Sequence, residues 1–317
     1  MTVPAISRDD LRRTAEALRG IAVRTPLVES AELSRRLGVA VRVKCEHHQP
    51  IGAFKIRGAY TAISRLPAEV RARGIITHSS GNHGQAVAYV AKHFGVRAVI
   101  VMPENAPAIK VAGIRSHGAE IVVTTRKERE AKAAELIDRQ GLVLIAPFDN
   151  YDVIMGQGTC ASEIFEDQPS TAAIIAPVGG GGMIAGTCAA ALAIKPDTAV
   201  WGVEPAVSPK LTAALAAGHP VPFEPADTLA DGLIPPSLGA ITFQYLRGII
   251  RGVATLTEPE IAAGVRFLFH SMGLKIEPSG ATPVAALLAG KIVPTGPTAC
   301  ILTGGNVDPA LFATLVG

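Results

Sequence analysis

Charge is scarce in this 317-residue chain. Only 18% of residues are charged, against the usual quarter, while 48% are hydrophobic. That balance argues for buried elements and against disorder. The net charge is +3 and no long basic or acidic run is present, which excludes nucleic acid and an anionic membrane surface as expected partners. Cysteine pairs are lacking too. Cys45, Cys160, Cys188 and Cys300 lie far apart, so no Cys-x-x-Cys spacing signals a zinc site or a disulfide framework. Such cysteines suit buried thiols in a reducing compartment, and the expected location is the cytoplasm. No uninterrupted apolar stretch approaches the ~18 residues of a membrane span. The opening residues, Met1 to Asp10, are polar and partly acidic, unlike a targeting segment.

What the chain does have is alternation. Ser7 reads as a helix cap, with Asp9 and Asp10 in the first turn and Gly20 as the stop. Val41–Glu46, Gly74–His78, Arg97–Met102, Glu120–Thr124, Leu142–Ile145, Ala172–Val178, Ala199–Val203 and Ala299–Thr303 read as strands, with helical patterns between them, one near Pro107–His117. Strands and helices in alternation imply mostly parallel sheets covered by helices, the α/β class. No internal repeat or low-complexity linker is present. The proline-rich stretch from His219 to Pro236 reads as a surface excursion. The length suits one large or two modest domains, with no separate regulatory domain expected.

Three segments carry chemistry. In Gly52-Ala53-Phe54-Lys55-Ile56-Arg57-Gly58-Ala59, small residues and a ring surround one amine. Apolar surroundings or a nearby cation lower a lysine pKa, as carbonyl chemistry requires, and Arg57 is a candidate for that cation. A solvated surface lysine is the ordinary alternative. In Ser79-Ser80-Gly81-Asn82-His83-Gly84, a strand gives way to a helix. Backbone amides and small donors at a helix start make an anion site suited to an amino-acid carboxylate, although a capped turn looks the same. His83 reads as a structural hydrogen-bonder. In Gly179-Gly180-Gly181-Gly182, glycines follow a buried strand and precede a helix. Such a run is costly unless the backbone needs unusual angles or approaches a ligand closely. Its spacing does not fit a dinucleotide fingerprint, and a single phosphate monoester suits it better.

Phe54 to Ala59, Ser79 to Gln85, Gly179 to Met183 and Thr303-Gly304-Gly305-Asn306 occur in this order. Together they resemble the serine/threonine dehydratase and serine racemase family of pyridoxal-phosphate enzymes, of the tryptophan-synthase-β fold type. The resemblance runs from Thr25-Pro26 to Asn306 and includes Gly156-Gln157-Gly158-Thr159. It implies two α/β domains with the active site between them: a large cofactor domain of residues 1–56 and 145–317, and a small domain of residues 57–144 contributing the substrate loop. It implies pyridoxal 5′-phosphate joined to Lys55, with Phe54 beside its ring, Asn82 on its phenolic oxygen and Thr303 at its pyridine nitrogen. The amides of Gly179, Gly180, Gly181, Gly182 and Met183 would hold the phosphate. Ser79, Ser80, Gly81, Asn82 and His83 would take the substrate carboxylate, with Ser80 catalytic on the face opposite Lys55. The expected partner is a small amino-acid substrate, and the expected assembly a homodimer.

The implied activity is conversion of L-threonine, L-serine or a similar β-hydroxy amino acid to a 2-oxo acid and ammonia. Alternatives are an amino-acid racemase, a dehydratase of hydroxyaspartate or a bulkier analogue, and a non-catalytic binding protein. Metal-dependent members resemble this chain around Trp201-Gly202-Val203-Glu204-Pro205. They carry a second acidic ligand about six residues after the glutamate, where Lys210 stands here. No metal site is therefore expected, with the Lys210 ammonium standing in for the ion. Asp231 to Ser237 departs from racemase-like relatives near the substrate side chain. Glu277 is a candidate for approaching the cofactor or capping a helix. Arg129 could reach a substrate's second carboxylate, although a solvated helix face is the ordinary reading.

Overall fold

The computed structural model describes residues 3–79, 81–104, 106, 108–224 and 227–317. Ten strands occur among them: β1 (Leu27–Glu29), β2 (Val41–Cys45), β3 (Ile75–Thr77), β4 (Ala98–Pro103), β5 (Glu120–Thr124), β6 (Val143–Leu144), β7 (Ala173–Pro177), β8 (Ala199–Pro205), β9 (Ile250–Leu256) and β10 (Thr298–Leu302). They form two sheets. One has six strands in the order β1-β2-β10-β7-β8-β9, and the other four in the order β5-β4-β3-β6. Only the β1–β2 pair is antiparallel among these ladders.

Parallel strands covered on both faces should be apolar throughout, and all of β4, β7 and β10 is buried. Alternation assigns the faces. Ile174, Ala176, Ala299 and Ile301 enter one core of the larger sheet, while Ile175, Cys300 and Leu302 enter the other with Val41 and Val43. In the smaller sheet, Ile75 and Ile100 face one way, and Ile76 and Val101 the other. Each fully buried aliphatic side chain contributes about 1.5–3 kcal/mol.

The expected fold class is the observed one, with differences at element ends. Two strands, β1 and β9, leave little trace in the sequence. β1 has three residues. β9 holds Gly252, where a Cβ would lie 2.5 Å from the Trp201 ring, so the glycine that weakens the strand signal is what admits the ring. The Ser7 cap forms a full box: Asp10 N donates to Ser7 Oγ at 3.1 Å and Ser7 N to the Asp10 carboxylate at 3.0 Å. That helix ends at Ala17, with Gly20 in the turn beyond at φ 80°. The helix expected over Pro107–His117 runs Ala108–Ser116, and Pro107 lies outside the described residues.

The topology points three chain segments at one place. The carboxyl ends of β3, β7 and β10 lead into the Ser79 loop, the glycine run and Thr303 respectively. Ligands in parallel α/β sheets bind outside such ends.

Candidate active site

Lys55 opens the helix Lys55–Ser64. The backbone before it is fastened to the end of β10, with Phe54 N donating to Thr303 O at 3.0 Å and Ala53 bridging Gly304. Lys55 Nζ donates to Pro147 O at 2.6 Å and lies 5.2 Å from the centre of the Phe54 ring. Burial lowers its pKa to about 8. The neighbouring cation expected at Arg57 plays no part in this. Arg57 is 1% exposed and its guanidinium is committed elsewhere. Nε and Nη2 donate to Glu46 at 2.8 Å each, and Nη1 and Nη2 donate to Glu163 at 2.7 and 2.9 Å. Lys44 joins Glu163 at 2.6 Å. Desolvation alone depresses the Lys55 amine, and Arg57 instead anchors the first turn of its helix.

Pro147 brings the glycine run to the lysine. Its neighbour Phe148 lies under Gly180 so closely that a Cβ there would meet the ring at 2.2 Å. Gly181 has φ +96°, and a Cβ on it would meet Thr242 Oγ1 at 2.8 Å. The run is therefore demanded partly by the protein's own packing. Thr242 Oγ1 donates to Gly180 O at 3.0 Å, and Gly239 N donates to the same oxygen at 3.2 Å. Asp149 in turn caps the helix Ala240–Leu246, its carboxylate accepting from the amides of 240, 241 and 242 at 2.7–3.1 Å. Pro147, Phe148, Asp149 and Thr242 escape a reading of the sequence. The Asn150 cap of the next helix is a readable signal there, but nothing in a lone phenylalanine announces such a platform.

The third segment meets the chain after β10 through Glu277. Its Oε1 accepts from Asn82 Nδ2 at 2.8 Å, and Asn306 Nδ2 donates to Asn82 Oδ1 at 2.8 Å. Glu277 N donates to Gly304 O at 3.0 Å, beside Thr303. Glu277 takes the cap position of the helix Pro278–Leu288 without a side-chain capping bond. Burial and then the nearby Asp231 carboxylate raise its pKa to about 7, and its Oε2 is buried without a partner among the described residues. His83 is buried, with Nε2 on Ile145 O at 3.0 Å. Burial and then the Lys55 ammonium lower its pKa to about 3, so it stays neutral. Thr303 is buried and its hydroxyl makes no hydrogen bond among the described residues. Ser79 and Gly81 flank Ser80, which lies outside the described residues.

Farther from Lys55, Lys210 is fully buried and its Nζ donates to Leu233 O at 2.8 Å and Ser208 O at 3.3 Å. Glu204 accepts from the amides of Leu211 and Thr212 at 2.8 and 2.9 Å and from the Thr212 hydroxyl at 2.7 Å. Burial lowers Lys210 to about 8 and raises Glu204, in each case disfavouring the charged form. Lys110 pairs with Asp231, joining the helix Ala108–Ser116 to the Asp231–Leu233 turn. Arg129 begins the helix Arg129–Gln140 and is half-buried. Its Nε donates to Arg126 O at 3.2 Å, no carboxylate pairs with it among the described residues, and burial lowers its pKa.

The residues fit a phosphate-bearing aldehyde cofactor. The helix Gly182–Ile194 starts inside the protein, and its cap is a left-handed glycine that supplies no side-chain hydrogen bond. A buried helix end without a cap leaves its first amides to a ligand, and an anion suits them best. A desolvated amine stands nearby across Pro147 and Phe148, and buried Thr303 carries a hydroxyl on the residue whose carbonyl holds Phe54.

Comparison with known proteins agrees with this geometry. Residues 18–304 match the pattern of a pyridoxal-phosphate dependent enzyme. The chain is 38% identical over 309 residues to an L-threonine ammonia-lyase of Geobacter sulfurreducens, covering 96% of this chain and 77% of that one. It is 38% identical over 313 residues to an L-threo-3-hydroxyaspartate ammonia-lyase of a Pseudomonas species, covering 98% of each. The solved structure of maize serine racemase matches with a TM-score of 0.93 at 33% identity, over 98% of this chain and 97% of that one.

Proposed function

Since this chain belongs to the family of pyridoxal-phosphate-dependent enzymes, we propose that it is an ammonia-lyase that converts L-threonine, L-serine or a similar β-hydroxy amino acid to a 2-oxo acid and ammonia. Its cofactor is pyridoxal 5′-phosphate. The observation that carries the reading is the Lys55 amine, desolvated to a pKa of about 8 and joined through Pro147 and Phe148 to an uncapped glycine-lined helix start. When bound, the cofactor draws electron density from the substrate α-carbon and so acidifies its proton.

The chain's own groups do the rest. Gly179, Gly180, Gly181, Gly182 and Met183 would hold the phosphate on their amides, and Thr303 would offer a neutral hydroxyl to the ring nitrogen. Phe54 would pack beside the ring. Asn82, oriented by Glu277 and Asn306, would serve the phenolic oxygen. The loop of Ser79, Ser80, Gly81, Asn82 and His83 holds the substrate carboxylate. Lys55 Nζ, neutral in a useful fraction near pH 8, takes the α-proton. The β-hydroxyl then departs, the proton removed and the hydroxyl lost together making one water, and hydrolysis of the remaining enamine as its imine gives the 2-oxo acid and ammonia. The sheet built wholly within residues 75–144 supports a small domain of residues 57–144 that carries the substrate loop, with residues 1–56 and 145–317 as the large domain. Four buried free cysteines suit a reducing compartment, the cytoplasm.

Arg129 favours a second reading, in which the substrate is threo-3-hydroxyaspartate. A half-buried arginine without a carboxylate partner is costly unless a ligand supplies one. It lies near His78, immediately before Ser79 of the carboxylate loop, where burial lowers the imidazole pKa first and the opposing charges of Glu130 and Arg129 follow. The holoenzyme should be incubated with L-threonine, L-serine, D-serine and L-threo-3-hydroxyaspartate while 2-oxo acid release and the remaining enantiomer are followed. Oxo acid from one of these confirms the lyase and names its substrate. Enantiomer exchange without oxo acid makes the enzyme a racemase. If hydroxyaspartate is the substrate, Arg129→Gln is expected to lower its kcat/KM by about ten- to a hundredfold, the loss of a charge-assisted hydrogen bond of about 1.5–3 kcal/mol, and to leave threonine unaffected. An equal loss on both substrates refutes the assignment of Arg129.

We also assign the position near Glu204 to the Lys210 ammonium in place of a divalent cation, because its Nζ already occupies two carbonyl oxygens. Turnover is expected to need no added magnesium or calcium. Activity lost to chelator and restored by magnesium would refute the assignment.

A further inference from the structure

Cys45 ends β2, and His47 and His48 follow at once in the short turn Glu46–His48. None of the three has a part in the reaction above. One donor atom from each, the Cys45 sulfur and a ring nitrogen of each histidine, lies within 4.8 Å of the other two. The imidazole centres are 4.1 Å apart, with planes 37° from parallel. His47 Nδ1 is buried and finds no hydrogen-bond partner among the described residues. A buried imidazole nitrogen without a partner loses the stabilisation it had from water. Cys45 is a free thiol buried in one hydrophobic core of the larger sheet, with its sulfur 3.7 Å from Val43 O. His48 is exposed and opens the trio to solvent.

We propose that Cys45, His47 and His48 form a binding site for a borderline-soft divalent cation, with Zn²⁺ the best match. One thiolate and two imidazoles are the donor types zinc prefers, whereas magnesium and calcium take oxygen. Zn–S of about 2.3 Å and Zn–N of about 2.0–2.1 Å in a tetrahedron place donors roughly 3.3–3.7 Å apart. The observed spread must therefore close by about 1 Å, within reach of side-chain rotation at the exposed His48. Three protein ligands leave the fourth position to water. Cys45 loses its proton to solvent on binding. The arrangement escapes a search for paired cysteines, because its only sulfur is joined by histidines two and three residues on.

The position gives the site a consequence. Cys45 pairs in register with Leu302, the residue before Thr303. His47 packs on the backbone of Gly305, where an added Cβ would lie 3.3 Å from His47 Cβ. A bound ion therefore sits directly behind the chain that carries Thr303 and Asn306.

The test is calorimetric titration of the holoenzyme with Zn²⁺, with Mg²⁺ as the contrast. One Zn²⁺ per chain is expected, with no response to Mg²⁺. His48→Gln, an exposed substitution that leaves the core untouched, should weaken binding at least about tenfold, and Cys45→Ser should do the same. Cd²⁺ should add thiolate absorbance in the wild type and not in Cys45→Ser. Absence of Zn²⁺ binding, or affinity unchanged in both variants, overturns the proposal.

Discussion

Replacing Lys55 by alanine is expected to lower kcat/KM by about 10⁴-fold while the protein stays folded. On the proposed reading the amine that would be lost is both the attachment point of the cofactor and the acceptor of the α-proton, and the described residues offer no substitute for it. His83, which feels the Lys55 charge, is held neutral with one nitrogen on Ile145 O and a pKa of about 3, too weak a base to take over. Folding should survive because, among the described residues, the Lys55 amine makes a single hydrogen bond, to Pro147 O, and its desolvated ammonium adds little stability. Borohydride reduction of the wild-type holoenzyme followed by peptide mass spectrometry should place the cofactor on Lys55 and on no other lysine. The variant should take no label. The pH dependence has a definite sign. An amine with a pKa of about 8 is mostly protonated below that value and cannot take a proton there. Turnover limited by proton removal should thus rise with pH and level off above about 8. Substantial oxo-acid release by Lys55→Ala, with the fold intact by circular dichroism, would sink the assignment.

Much of this site is legible in the amino-acid sequence, and the reason is physical. Lys55, the Ser79 loop and the Gly179 run each sit at a strand-to-helix junction or a helix start, where residue type is dictated by backbone amides and close approach. Such demands leave a local trace in the sequence. The partners that set properties are different in kind. Phe148 lies under Gly180, Thr242 holds the Gly180 carbonyl, and Glu277 reaches across 195 residues to Asn82. Nothing local distinguishes a phenylalanine or glutamate with such a role from one in any loop or cap. Arg57 is the instructive failure. Its position two residues after Lys55 suggests a through-space effect on the amine. Residues i and i+2 of a helix do not face each other, however, and the guanidinium turns to Glu46 and Glu163. The four cysteines likewise signal no zinc site by their spacing, because the donors that join Cys45 are the histidines His47 and His48 and not a second sulfur.

That misread arginine carries the largest stability effect expected in the molecule. Arg57→Met should cost about 3–5 kcal/mol, the penalty for stripping one partner from a buried ion network. Glu46 is 0% exposed. Without the guanidinium it keeps only Thr25 Oγ1 at 2.6 Å and Gln49 Nε2 at 3.1 Å, while Glu163 keeps Lys44. The penalty should depend on pH. Burial alone pushes the Glu46 pKa up, but the Arg57 charge and hydrogen bonds prevail and hold it below its ordinary value. A carboxylate depressed in the folded state contributes stability above its unfolded pKa and loses it as pH falls through the folded one. With Arg57 gone, burial is left against the Thr25 hydrogen bond and the Lys44 charge, so the depression is expected to be lost and Glu46 to oppose folding at neutral pH. The gap between the wild type and Arg57→Met should therefore be widest near pH 7 and narrow as pH approaches about 4, where an unfolded glutamate titrates. Denaturant midpoints at about pH 7 and about pH 5 measure it, and a gap independent of pH would show that Glu46 does not feel Arg57. Because Arg57 ties the first turn of the lysine-bearing helix to Glu46 at the end of β2 and to Glu163 in the helix Tyr151–Asp167, the variant should also hold the cofactor more weakly. The charge cluster thus fixes where Lys55 stands, and leaves the pKa of the amine to burial.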